Sequence, residues 1–167
     1  MRTLNLFKQL APTYNANFIV AHFTKKFSDV PAAVLNTRIE EFLKFMFLRS
    51  TYNQGFIPLA GEVDDIWHEF ILQTQEYEKL CKALPSGNFI HHNSVHLVEF
   101  SNNKDRTETV KDLINWLPRY YQHFGPFNED TAPYWMMVSF LQAELKLSLE
   151  QINKLSQEAV NLKQVPV

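Results

Sequence analysis

One cysteine, four glycines and no long apolar run characterise a chain of 167 residues. Each scarcity excludes something. A lone thiol, Cys81, closes no internal disulfide, so nothing asks for an oxidising compartment. Few glycines, with eight prolines, exclude collagen-like and low-complexity designs. The longest apolar stretches, such as Tyr134–Val138, fall far short of the ~20 residues that a membrane span needs. Lys8, Pro12 and three asparagines interrupt the N-terminal stretch, which therefore does not read as a signal peptide. An excess of positive charge is missing too. Sixteen basic residues against eighteen acidic ones leave a net charge of −2, a poor footprint for nucleic acid, which asks for a basic face. The expectation is a soluble, cytoplasmic protein that engages neither membrane nor nucleic acid.

What the chain does have is apolar and aromatic material. Hydrophobic residues make up 46% and charged residues 20%, which excludes intrinsic disorder. Fourteen phenylalanines dominate an aromatic share of 14%, so large rings must pack somewhere. The length suits a single helical domain spanning residues 1–167, able to bury roughly two thirds of its unfolded surface.

Helical period dominates the pattern. Ala16–Phe27 carries Phe18, Ile19, His22, Phe23 and Phe27. Ala32–Arg49 follows Pro31 and presents a wide apolar face from Leu35 to Phe47. Gly55 and Pro58 mark Asn53–Ala60 as a loop. Glu62–Leu84 reads as one long helix with Val63, Ile66, Trp67, Phe70, Ile71, Tyr77, Leu80, Cys81 and Leu84 on one face, ended by Pro85-Ser86-Gly87. An irregular or extended segment is expected around 86–104. Thr107–Phe124 reads as a helix that Pro118 kinks, and Thr131–Leu147 as another. Ser148 with Gln151 fits a capping box for a final helix, Leu149–Lys163, so that C-terminal helices over 131–163 pack on the rest. The sum is an all-α, compact bundle of about six helices.

One polar window stands out. Asp64 and His68 lie four residues apart, hence on one helix face, while Asp65 points further out. A carboxylate one turn before a histidine can fix its tautomer and raise its basicity. His91 and His92 are adjacent, so in an extended segment they point to opposite sides. His68 and Cys81, thirteen positions apart on one straight helix, would be roughly 20 Å apart, too far to share an ion. The His91-His92 pair reaches His68 only if the chain doubles straight back, the intervening stretch from Leu84 to His91 spanning at most ~25 Å. Such ligands suit zinc or iron, although HExxH, paired CxxC and glycine-rich phosphate-loop motifs are all missing. Cys81 sits mid-stripe like a core cysteine, and His22, His96 and His123 have no paired group at useful spacing. The aromatics Trp116, Tyr120, Tyr121, Phe124, Phe127, Tyr134 and Trp135 read as core, or alternatively as the lining of a groove.

The segment EVDDIWHEFILQTQEYEKLC with GNFIHH resembles the glycine-rich-domain-containing-protein-like family, over about residues 38–136. The flanking EEFLKFMFL and WLPRYYQHFGPF also resemble that pattern. The resemblance makes Asp64, Trp67, His68, Tyr77, Cys81, Gly87, His91 and His92 signature positions. The family's second histidine, two after the first, is replaced by Phe70, and its proline after the His-His pair by Ser94; the glycine-rich tail is missing. The resemblance implies neither a reaction nor a cofactor. Two functions therefore stand as expectations. In the first, the chain is a binding or assembly module that presents a surface to a protein or peptide partner, and Asp64, His68, His91 and His92 order the fold. In the second, it is a small zinc- or iron-dependent enzyme using His68 with one or both of His91 and His92, Asp64 orienting a histidine ligand.

Overall fold

The computed structural model describes residues 2–52, 57, 59–92, 111 and 114–164. Residue contacts group into two compact units, Met1–Gln54 with Gly61–His92, and Gly55–Ala60 with Asn93–Val167. Among the described residues the architecture is all-α. These residues form eight α-helices rather than about six, and the only β pairing among them is an isolated bridge from Leu59 to Trp135. No helix of the described residues is long and apolar enough to cross a membrane.

The first unit begins with a helix that the sequence reading missed. In α1, Arg2–Leu10, the buried Thr3, Phe7 and Leu10 form one narrow face, too short a pattern to stand out. Helix α2, Asn17–Lys26, buries Ile19 and Phe23 and leaves Phe18 exposed. Helix α3, Ala32–Tyr52, packs against α1 and against α4, Gly61–Leu72. Two buried carboxylates on α3 have cationic partners, as burial demands. Glu40 takes Arg2 at 2.9 Å and the Thr3 hydroxyl at 3.1 Å, and Glu41 takes Lys44 at 2.6 Å.

The long helix expected over 62–84 is two helices, α4 and α5, Thr74–Ala83. They part at Gln73, whose φ and ψ of −87° and 59° leave the helical region and whose N–H bonds the Phe70 carbonyl at 2.9 Å. The apolar stripe explains the break. Between Leu72 and Tyr77 the chain offers only Gln73, Thr74, Gln75 and Glu76, so a straight helix would have an unpacked turn. Breaking there lets Tyr77 fold back into the core of α4. Phe70 is the hub of that core, its ring 5.6 Å from Tyr77, 5.7 Å from Phe23, 5.9 Å from Phe42 and 6.4 Å from Tyr14. Fully burying a ring of this size contributes roughly 1.5–3 kcal/mol. After α5 the chain reverses at Gly87, whose φ of 66° lies where a side chain is strained. Residues 88–92 then run without helix or strand, as expected; 93–104 lie outside the described residues.

The second unit contains α6, Trp116–Phe124, a 3₁₀ turn, Ala132–Tyr134, α7, Met136–Leu145, and α8, Leu149–Gln164. Of the helix expected from Thr107, residues 107–110 and 112–113 lie outside the described residues. Pro118 falls in the first turn of α6, where an amide has no partner within the helix to lose. The helix expected over 131–147 is interrupted at Trp135, which is extended and bridges Leu59. The capping box before α8 forms as read: Gln151 N–H donates to Ser148 Oγ at 3.1 Å and the Ser148 N–H to Gln151 Oε1 at 2.8 Å. Tyr120 stacks on Phe127 at 4.0 Å and meets Trp135 edge-on at 5.0 Å, so these rings and Trp116 are core. Asn153 of α8 locks Phe127 by taking its N–H and donating to its carbonyl, both at 2.8 Å.

Candidate functional site

The two acidic residues in the first turn of α4 include Asp64, and one turn later comes His68. The His68 Nδ1 sits 2.9 Å from the Asp64 main-chain carbonyl and 3.3 Å from its carboxylate Oδ2. A carbonyl oxygen only accepts, so His68 Nδ1 is the donor of this bond. His92 arrives from the segment after Gly87, and its Nε2 lies 3.1 Å from Asp64 Oδ1. The two imidazole centroids are 4.3 Å apart. One donor atom from each of Asp64, His68 and His92 lies within 4.8 Å of the others, the one such grouping among the described residues. The side chain of His92 is 13% exposed, that of Asp64 39% and that of His68 54%, so the cluster is anchored on one side and open on the other.

The anchored side is built from the other residues of the window. Trp67 meets the His92 ring edge-on at 4.4 Å, and Phe45 backs Trp67 at 4.7 Å. The Trp67 indole N–H donates to the Tyr77 hydroxyl at 3.0 Å, and that hydroxyl donates to the Ile90 carbonyl at 2.5 Å. The Ile90 main chain also bonds the Cys81 sulfur. Burial pushes the Cys81 thiol up from its ordinary range, and it pushes the Tyr77 hydroxyl up as well, reinforced by the neighbouring Cys81. Cys81 is therefore a packed, protonated thiol and not a nucleophile, and Gly87 supplies the turn.

His91 does not join the cluster. It is exposed and its ring faces Phe89 at 5.0 Å, so the adjacent pair divides as an extended segment predicts. Asp65 is exposed, as the helical wheel places it. The chain does double straight back, by two means: the break at Gln73 and the reversal at Gly87. The result brings together two histidines and a carboxylate, and not three histidines.

A second histidine–carboxylate cluster escaped the sequence reading. His22 of α2 pairs through Nε2 with Glu69 Oε1 at 2.7 Å, and Lys26 pairs with Glu69 Oε2 at 3.0 Å. Glu69 is buried, and the hydrogen bond from His22, with Lys26 beside it, holds its carboxyl below the usual carboxylate range. The only available signal was weak: His22 and Lys26 lie one turn apart on α2, and nothing links them to a residue 47 positions away.

No curated protein and no solved structure matches the chain. A family match covers residues 9–155, nearly the whole length and all of the Asp64–His92 window, and by it the chain belongs to the UCP032817-like family.

Proposed function

We propose that this chain is a small metal-dependent protein that holds zinc or ferrous iron on Asp64, His68 and His92. The observation that supports the reading is the convergence of three donors of the right chemistry, each oxygen of the carboxylate already meeting a nitrogen of one ring. Mixed nitrogen and oxygen donors suit zinc and ferrous iron, which both accept imidazole and carboxylate. Three protein ligands leave coordination positions open, the pattern of catalytic sites, whereas structural zinc sites are closed by four. His68 is half-exposed, so an ion held there would be within reach of water or a substrate oxygen, whose polarisation is the chemistry it would supply. To take all three donors, a bound ion would require His68 to give up the Nδ1 proton it donates to Asp64, or to turn its ring, and His92 to give up the proton it shares with Asp64, so acid should release the ion. The signature shared with the glycine-rich-domain-containing-protein-like family is, on this reading, the description of one such site.

Elemental analysis of protein purified without a histidine tag is the test. One zinc or iron per chain is expected, lost in His68→Ala and in His92→Ala and retained in His91→Ala. Wild-type protein that neither carries these ions nor takes them up on titration overturns the proposal.

A second reading has its own observation. The Asp64 carboxylate is already engaged by both rings, which is enough to pin the 88–92 segment to α4 with no ion at all. The chain is then a helical binding or assembly module for a protein or peptide partner. It predicts that His92→Ala lowers the melting temperature by the same amount with and without added metal.

A further inference from the structure

The geometry points to Tyr77 as the residue that positions His92 in the proposed metal site, acting through the Ile90 peptide. This rests on Asp64, His68 and His92 holding the cation. His92 comes from a segment with no helix or strand of its own, so something other than secondary structure must set its place. Asp64 and His68 need no such help, because α4 fixes them one turn apart.

The fixing is visible at Ile90, two residues before the ligand. Its side chain is buried, its carbonyl takes the Tyr77 hydroxyl at 2.5 Å, and its main chain also meets the Cys81 sulfur. Both anchors stand on α5, one turn apart. Tyr77 in turn takes its orientation from the Trp67 N–H at 3.0 Å, and the same indole meets the His92 ring. A closed circuit results: α4 holds Tyr77 through Trp67, Tyr77 holds Ile90, and Ile90 brings His92 back onto the residues flanking Trp67. The Tyr77 hydroxyl touches no ligand atom of the site, so its part is placement and not chemistry. Partners that orient a metal ligand without touching the ion carry roughly ten- to a hundredfold in affinity.

Tyr77→Phe is the informative variant. It keeps the ring that packs against Phe70 and Phe89 and deletes only the hydroxyl. Zinc affinity by calorimetry should fall roughly ten- to a hundredfold. The visible absorption of bound cobalt(II), used as a spectroscopic stand-in for zinc, should shift in Tyr77→Phe relative to the wild type. In metal-free protein the His92 ring resonances should move, while those of His91, outside the cluster, stay. Should Tyr77→Phe fail to fold, Cys81→Ala removes the other anchor on Ile90 and is read in the same way. Unchanged zinc affinity and an unchanged cobalt spectrum in a folded variant overturn the positioning role. Absence of metal binding by the wild type overturns the proposed function instead; the metal-free His92 resonances then decide separately whether Tyr77 sets the ring, and no movement there sinks that as well.

Discussion

Two neighbouring residues of α4, His68 and Glu69, belong to two polar clusters made of nearly the same parts. In one, a half-exposed aspartate lies between two imidazoles. In the other, a buried glutamate lies between an imidazole and a lysine ammonium. The difference is the third group. Lys26 brings its own positive charge to Glu69 and completes a pair that has no use for a cation. Around Asp64 no fixed positive charge is present in the cluster, the histidines can be neutral, and the open side faces water. Burial separates them further: charge in the Glu69 cluster ties α2 to α4 through a buried carboxylate, whereas Asp64 and His68 stand partly open to solvent. On the proposed function the same residue types serve cohesion in one place and ligand capture in the other, and the deciding quantity is whether the site carries its own counter-ion.

Exchanging the roles of the two carboxylates is the strongest way to break this contrast. Asp64→Ala should reduce zinc affinity by more than the roughly hundredfold that outer partners of metal ligands account for, with little change in the urea midpoint, since its carboxylate is 39% exposed. Glu69→Ala should do the reverse. Zinc affinity stays, while stability falls by about 1.5–3 kcal/mol, the range for hydrogen bonds to charged groups. Metal loss in both variants, or in neither, would erase the distinction.

Acid sharpens it. The Glu69 carboxyl is held below its ordinary range by His22 first and Lys26 second. A depressed value in the folded state gives stability that is fully present above the ordinary carboxylate value and is lost as pH falls through the depressed one. Urea midpoints should therefore drop below that window in the wild type, and Glu69→Gln, already lower at neutral pH, should drop less. The smallest effect belongs to Lys26→Ala. The ammonium is 55% exposed, so its removal should cost no more than about 1 kcal/mol in the same titration.

Much of this was legible in residue order, and the failures have physical causes. The helical class followed from apolar period, and Ser148 with Gln151 capped the last helix as read. Asp64 and His68 were found because four-residue spacing is a property of the helix itself. His92 was a candidate, but its arrival depended on a break at Gln73 that the long apolar stripe concealed. The polar run Gln73–Glu76 was the available signal, and it was outweighed by the apolar residues on either side. His22 found Glu69 through tertiary packing of α2 on the core, which no local spacing records. Phe70 packs among the rings of Tyr14, Phe23, Phe42 and Tyr77, where an imidazole in its place would need a buried polar partner.

The joint at Gln73 has a consequence for anyone redesigning the chain. On a continuous helix Trp67 and Tyr77 would stand about 15 Å apart along the axis, beyond the reach of any indole-to-phenol bond. Replacing the Gln73–Glu76 turn with strong helix formers would therefore raise the helical signal in circular dichroism while dismantling everything that depends on residue 77 returning to residue 67. Such a protein would look better folded by the commonest assay and would have lost the return of the chain that carries His92 back to Asp64 and His68.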